Sequence, residues 1–398
     1  MTINKKTRAF AACLLILLLL PMLSACEIDF PSELTSMIPS KKNGLYVNGN
    51  WQEMSVPERG EYFYDQLTDV QKTIYSASVR TLESGANAFE LVGVNCNEYA
   101  EGCKRAIEAL LRDHPEFFWI DGGHQIKSTT VGGNAEGTVE IVLNTHAYWD
   151  GRDLSAARHE LEEAVLELLE QANACADDYE KVKFLNDWLA ENVEYDYESF
   201  GLSQGRGEAA DAFVNTVYGT LVEKKTLCGG YSYTVCYILD RLGIEALYVT
   251  GTTLDGLHAW NEVKLGEEYY HIDTTWADDN QNGRILYTYF CLDDAEMSLT
   301  HKTDSEFVYP PANGVEYNYY NREGLYLDSY SFNSFNVLFA KHGLEGGFSV
   351  KFPSDVVLRA AVRDIVDNAR FYKLDRMSAS SSFSYVVDEE HCILTLYP

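Results

Sequence analysis

Cys228 is followed by two glycines, Gly229 and Gly230, and then by Tyr231, Val235, Ile238, Leu239 and Leu242. Those apolar residues fall at the i, i+4, i+7, i+8, i+11 spacing of one helix face, and Gly243 supplies a stop. The thiol therefore sits in a first helical turn, where unpaired N–H groups and the helix dipole favour an anion. The thiolate is the nucleophilic form of cysteine. The two bare Cα positions are expected to let a substrate backbone come close. Cys236, mid-helix, reads as a buried core thiol.

A thiolate needs a base. Residues 245–251 read as a strand, and "LHAWNEVKLGEEYYHIDTTW" reads as two strands joined by a tight turn around Gly266 and Glu267. With a two-residue turn Leu265 pairs with Glu268, Trp260 faces Asp273, and His258 shares their face as a diagonal neighbour of Asp273. A three-residue turn would put His258 and Asp273 on opposite faces. A helix-borne cysteine facing a sheet-borne histidine with an orienting aspartate is the arrangement of nucleophilic thiol catalysis. His271 would lie about 13 Å along the sheet from His258 at 3.3 Å per residue, and reads as structural. Trp260 and Trp276 either wall the cleft or pack the core. Zinc is not expected, since the spacing lacks a CxxC or HxxxH pair and the best set supplies three ligands. No Gly-rich phosphate loop follows a strand, and no cofactor or metal is expected.

The order Cys228, His258, Asp273 resembles that of the transglutaminase-like superfamily. "LCGGYS" is similar to the family's Cys-x-Gly-Tyr motif, "HAWNEV" to its His-Ala-Trp motif and "YYHIDTTWADD" to its Asp-x-Thr-Trp motif. "VYGTLV" and "YFCLDDAEMSLTH" also resemble segments flanking this core in bacterial members. Three motifs in order and at the right spacing are specific where one alone is weak. The resemblance covers about 178–305 and implies a papain-like core in which Cys228 attacks an amide carbonyl, His258 shuttles the proton and Asp273 fixes the ring. The product would be a thioester, released by water or by an amine. The N–H of Cys228 is the natural first oxyanion donor. Bacterial members often carry Gln before the Tyr-Gly segment; this chain has Asn215, a shorter candidate donor.

The elements that must position these residues suggest an α+β fold. A transglutaminase-like domain at 153–305, with a helix-borne cysteine against an antiparallel sheet, is flanked by smaller α+β units at 56–150 and 306–398. Lys5, Lys6 and Arg8 precede the apolar run 9–20, which is too short to span a bilayer and fits a signal peptide. Leu23-Ser24-Ala25-Cys26 resembles the lipobox of bacterial lipoproteins, so residues 1–26 read as signal and lipobox, with Cys26 lipidated. Residues 27–55, with Pro31, Pro39, Gly44 and Gly49, read as a tether. Seven further cysteines after Cys26 are an odd number, and Cys96 and Cys103 could pair only if Cys96 lay off the helix expected at 97–112. No disulfide framework is expected.

Against 31 Lys+Arg stand 61 Asp+Glu, a net charge of −30, which argues against nucleic acid as a partner. The expected protein is a lipid-anchored, extracytoplasmic monomer whose partners are a protein or peptide substrate and, through Cys26, the membrane. Two function classes stand: a cysteine enzyme on peptide or side-chain amides, as peptidase, amidase or transglutaminase, or a non-catalytic binding module on the same fold. An intact Cys-His-Asp set favours the enzyme. Abundant water outside the cell favours hydrolysis over amine transfer.

Overall fold

The computed structural model describes residues 44–47, 50–53, 61–130, 135–203, 212–279, 284–344, 347–378 and 382–397. Signal, lipobox and Cys26 lie outside the described residues. The chain divides into two compact units: Met1–Leu111 with Gly122–Thr145, and Arg112–Asp121 with His146–Pro398.

The first unit is built on a five-stranded sheet. Its strands are β1 (Gly44–Val47), β2 (Asn50–Glu53), β3 (Ala88–Asn95), β4 (Ile120–Thr130) and β5 (Glu136–Thr145), in the order β2-β1-β3-β5-β4. Within the segment read as a tether, 44–47 and 50–53 form strands instead, with β1 pairing antiparallel with both β2 and β3. Helix α1 (Asp69–Glu83) starts at a capping box between Thr68 and Gln71. Helix α2 (Cys96–Asp113) carries both Cys96 and Cys103, and both thiols are free.

In the second unit α3 (Leu154–Ala172) and α4 (Asp178–Asn192) start at Asp153 and Asp177, each accepting a first-turn N–H. The short helix α5 (Val217–Leu221) leads to α6 (Cys228–Arg241). Tyr231, Val235, Ile238 and Leu239 are buried, as their spacing predicts. Gly243, at φ +76°, ends the helix, with Ile244 N–H donating to Leu239 O at 2.9 Å.

Helix α6 lies on an antiparallel sheet of β6 (Ala246–Thr253), β7 (Gly256–Leu265), β8 (Glu268–Ile272), β9 (Phe290–Leu292) and β10 (Lys302–Thr303), in the order β9-β8-β7-β6-β10. The fold is thus mixed helix and sheet, with the cysteine helix against antiparallel strands. Leu265 pairs with Glu268 and Asn261 with Ile272, the register that a two-residue turn predicts, with Gly266 at φ +64°. Buried Asn261 joins helix to sheet: the two hydrogens of its Nδ2 are shared among Ser232 O (2.9 Å), Leu247 O (3.3 Å) and Cys236 Sγ (3.2 Å).

The C-terminal residues of this unit add α7 (Phe332–His342), α8 (Asp355–Val362) and a three-stranded sheet, β11 (Phe348–Lys351), β12 (Ser384–Asp388) and β13 (Ile393–Tyr397). They enclose an aromatic core of their own that includes Phe335, Phe339, Phe348 and Phe371. No helix among the described residues is long and apolar enough to cross a membrane.

Candidate active site

Cys228 is the first residue of α6, after Leu227 in an extended conformation. Its approach is fixed by a short parallel pairing of Glu194–Tyr195 with Lys225–Thr226. The Thr226 hydroxyl donates to Val214 O at 2.6 Å. The thiol is half-buried. Gly229 and Gly230 are buried and face inward, which corrects their reading as room for substrate. A Cβ on Gly229 would stand 2.5 Å from Asn215 Nδ2 and 2.6 Å from its Oδ1, and one on Gly230 would overlap the Thr226 hydroxyl. The glycines make room for Asn215 and Thr226, and so bring an amide side chain up to the cysteine. Gly230 N–H donates to Asn215 Oδ1 at 2.9 Å, which turns the Nδ2 donor end away from that bond.

His258 lies on β7 and Asp273 directly follows β8. Register brings them together: His258 Nε2–H donates to Asp273 Oδ2 at 2.7 Å. Cys228 also acts on the His258 ring, and since Nε2 is engaged by Asp273, the nitrogen left for a thiol is Nδ1. Burial pulls the imidazole down, but the adjacent Asp273 carboxylate, its hydrogen bond and the thiol outweigh burial and push it up to about 10. Burial raises Asp273, yet His258 and His301 together hold its carboxyl well below the usual carboxylate range. The His258 side chain is 7% exposed and that of Asp273 0%, so the pair acts in a low-dielectric setting.

Asp273 has two further donors. Thr275 N–H donates to Oδ1 at 3.0 Å, and His301 Nε2–H donates to Oδ2 at 3.1 Å. Sequence reasoning missed His301, although it ends the quoted segment "YFCLDDAEMSLTH". Its ring packs against Trp276 at 4.5 Å and Trp260 at 5.0 Å between centroids. Facing atoms of His258, Asp273 and His301 lie within 4.8 Å of one another, near enough to converge on a metal ion, and in this arrangement hydrogen bonds engage them.

Trp276 also packs on His258, at 5.5 Å. Trp260 is 1% exposed and belongs to the core with Val249, Leu292 and Met297, so it forms a floor beneath His258 and not an open wall. Its Nε1–H donates to His271 Nδ1 at 3.2 Å, and His271 Nε2–H donates to Asp294 at 2.9 Å. Both His271 nitrogens are thereby used structurally, as its position on the sheet predicts. Tyr195 couples electrostatically to both Cys228 and Asp273, and burial pushes its phenol up. Beside His258 on the β6–β7 hairpin, Leu254 and Leu257 are 100% and 83% exposed.

A buried base–acid pair beside a helix-first cysteine, with an amide donor held by two glycines, falls within a matched family segment: residues 167–274 fit the model described as Transglutaminase-like superfamily. This segment is a transglutaminase-like domain. It contains Asn215, Cys228, His258 and Asp273 and stops short of His301. The chain is similar to kyphoscoliosis peptidase of Homo sapiens, 28% identical over 133 residues, 30% of this chain and 19% of that protein. The same protein of Mus musculus is 27% identical over 144 residues, 32% of this chain and 20% of that protein. The chain thus spans about a fifth of the length of the curated relatives it matches. A crystal structure of a TGase aligns over 39% of this chain and 44% of its own, with 18% identity and a TM-score of 0.28.

Proposed function

We propose that this protein is a cysteine enzyme acting on peptide or side-chain amides, anchored outside the cytoplasm by lipid on Cys26. The observation that carries the reading is His258, bonded through Nε2 to buried Asp273, with Cys228 near enough to act on the same ring. In the reaction the Cys228 thiolate attacks the amide carbonyl, forming the C–S bond as the carbonyl electrons move to oxygen. The N–H groups at the start of α6 and Asn215 Nδ2 receive that oxyanion. Collapse breaks the C–N bond, and the His258 imidazolium gives its proton to the departing amine. The resulting thioester is attacked by water, whose proton His258 accepts, and the carboxylic acid leaves as Cys228 is regenerated. An amine in place of water would give a new amide, and hydrolysis is the favoured course where water is abundant.

The substrate is a neutral or basic polypeptide, because a chain of net charge −30 repels anionic polymers. Exposed Leu254 and Leu257 beside His258 offer apolar contact to residues near the scissile bond. The test is alkylation by iodoacetamide at neutral pH, with the modified cysteine located by mass spectrometry. Cys228 should react far faster than Cys103 and Cys236, whose thiols burial pushes up, Cys103 to about 12. That lead should vanish in His258→Ala. Equal reactivity of Cys228 and Cys392 in the native protein would sink the catalytic reading in favour of a binding module. Cys26→Ala should move the protein from the membrane fraction to the soluble fraction, and an unchanged distribution would refute the anchor.

A further inference from the structure

His301 reaches the same Asp273 carboxylate oxygen that His258 uses. Its Nδ1 contacts the Thr300 hydroxyl at 2.8 Å and its Nε2 contacts Asp273 Oδ2 at 3.1 Å. A hydroxyl can donate to Nδ1 while a carboxylate cannot, so the neutral ring carries its proton on Nε2. The side chain is 0% exposed. The ring is bounded by Trp276, Trp260 and Tyr289 and lies 5.4 Å from that of His258. An apolar ring would fill this aromatic enclosure at less desolvation cost, so the histidine's polar edge calls for a role. His258 uses the same carboxylate oxygen.

We propose that His301 is a positioning residue: its Nε2–H, held in that tautomer by Thr300, shares Oδ2 of Asp273 with His258 and so sets how firmly His258 keeps its proton. The inference rests on the catalytic reading of Cys228 and His258. A neutral donor on the shared oxygen draws carboxylate charge away from His258, which makes the imidazolium a readier acid towards the departing amine. Burial keeps His301 neutral against the pull of Asp273. The titratable groups facing this cluster are Cys228 on α6, Tyr195 on its short strand, His271 on β8 and Tyr289 before β9. Glu262, Asp294, Asp388 and His391 lie beyond them.

The experiment compares His301→Phe, which keeps an aromatic ring but no donor, with His301→Gln, whose amide N–H reaches the same oxygen. The purified protein carries 13C-labelled histidine, and the His258 resonance is followed against pH by NMR. In His301→Phe the His258 midpoint should rise by roughly one pH unit, and in His301→Gln it should stay near wild type. An unchanged midpoint in folded His301→Phe, or equal shifts in both variants, would overturn the proposal. If His301→Phe does not fold, Thr300→Val carries the test: loss of the tautomer lock should move the midpoint, and no movement overturns the idea. Alkylation of Cys228 is measured alongside. Indifference of that rate to His258→Ala defeats the catalytic reading itself, whereas a constant His258 midpoint with alkylation still dependent on His258 defeats the role of His301 alone.

Discussion

Gly230 donates its backbone N–H to the side-chain oxygen of Asn215, and Gly229 leaves no room for a Cβ against the same amide. One helix start therefore carries the thiol and also orients the side chain suited to receive an oxyanion. Acylation by p-nitrophenyl acetate passes through such an oxyanion, while alkylation by iodoacetamide does not. Asn215→Ala should lower the acylation rate roughly 10²-fold and leave Cys228 alkylation near wild type. Equal loss in both reactions would show that Asn215 supports the helix and not the transition state.

Gly229→Ala should destabilise the fold. The added methyl meets the Asn215 amide, with Nδ2 at 2.5 Å and Oδ1 at 2.6 Å, an overpacking that costs about 1–3 kcal/mol. The denaturant midpoint should fall and acylation should be lost with it, because Asn215 is the group that must move. A variant with wild-type stability and acylation would contradict the packing described here.

Asn261→Leu should be more damaging than its similar size suggests. The substitution leaves the Ser232 and Leu247 carbonyls without the amide donor that joins α6 to the sheet. Each hydrogen bond lost this way contributes about 0.5–1.5 kcal/mol. Urea unfolding should report a drop in that range, and a stability within 0.5 kcal/mol of wild type, the scale of a neutral surface change, would refute it.

The His258–Asp273 pair sets a pH window for stability. His258 is raised from 6.5 to about 10, so its contribution is full below pH 6.5 and is lost as pH rises through about 10. Asp273 is depressed from 3.8, so its contribution is full above pH 3.8 and fades as pH falls through its lowered value. Both are present between pH 3.8 and 6.5. Urea midpoints measured across pH should decline from there towards pH 10, and His258→Asn should flatten that alkaline decline. An equally steep decline in the variant would assign it to other groups.

The hairpin register was legible in the sequence because its turn is short. Gly266 and Glu267 admit a two-residue loop, and the period-2 alternation of strands then puts His258 and Asp273 on one face. The helix carrying Cys228 was legible from its apolar face and from Gly243. His301 was not, because it lies 28 positions from Asp273 with no periodic pattern between them to aim it. The inward role of Gly229 and Gly230 also depends on what packs behind them, and that partner, Asn215, precedes them by a turn and a helix. Strands β1 and β2 escaped because they are four residues each, too short for alternation to stand out among glycines.

Asn215, Cys228, His258, Asp273, Trp276 and His301 all come from one uninterrupted stretch of fewer than a hundred residues. In the enzyme proposed above, that stretch would bring its own nucleophile, base, orienter and oxyanion donor, and could be inherited as a single short piece of gene. Sequence on either side is then free to diversify, because no side chain of the triad or its donor has to be supplied from there. Selection for new targets can work on the flanks while the chemistry stays constant.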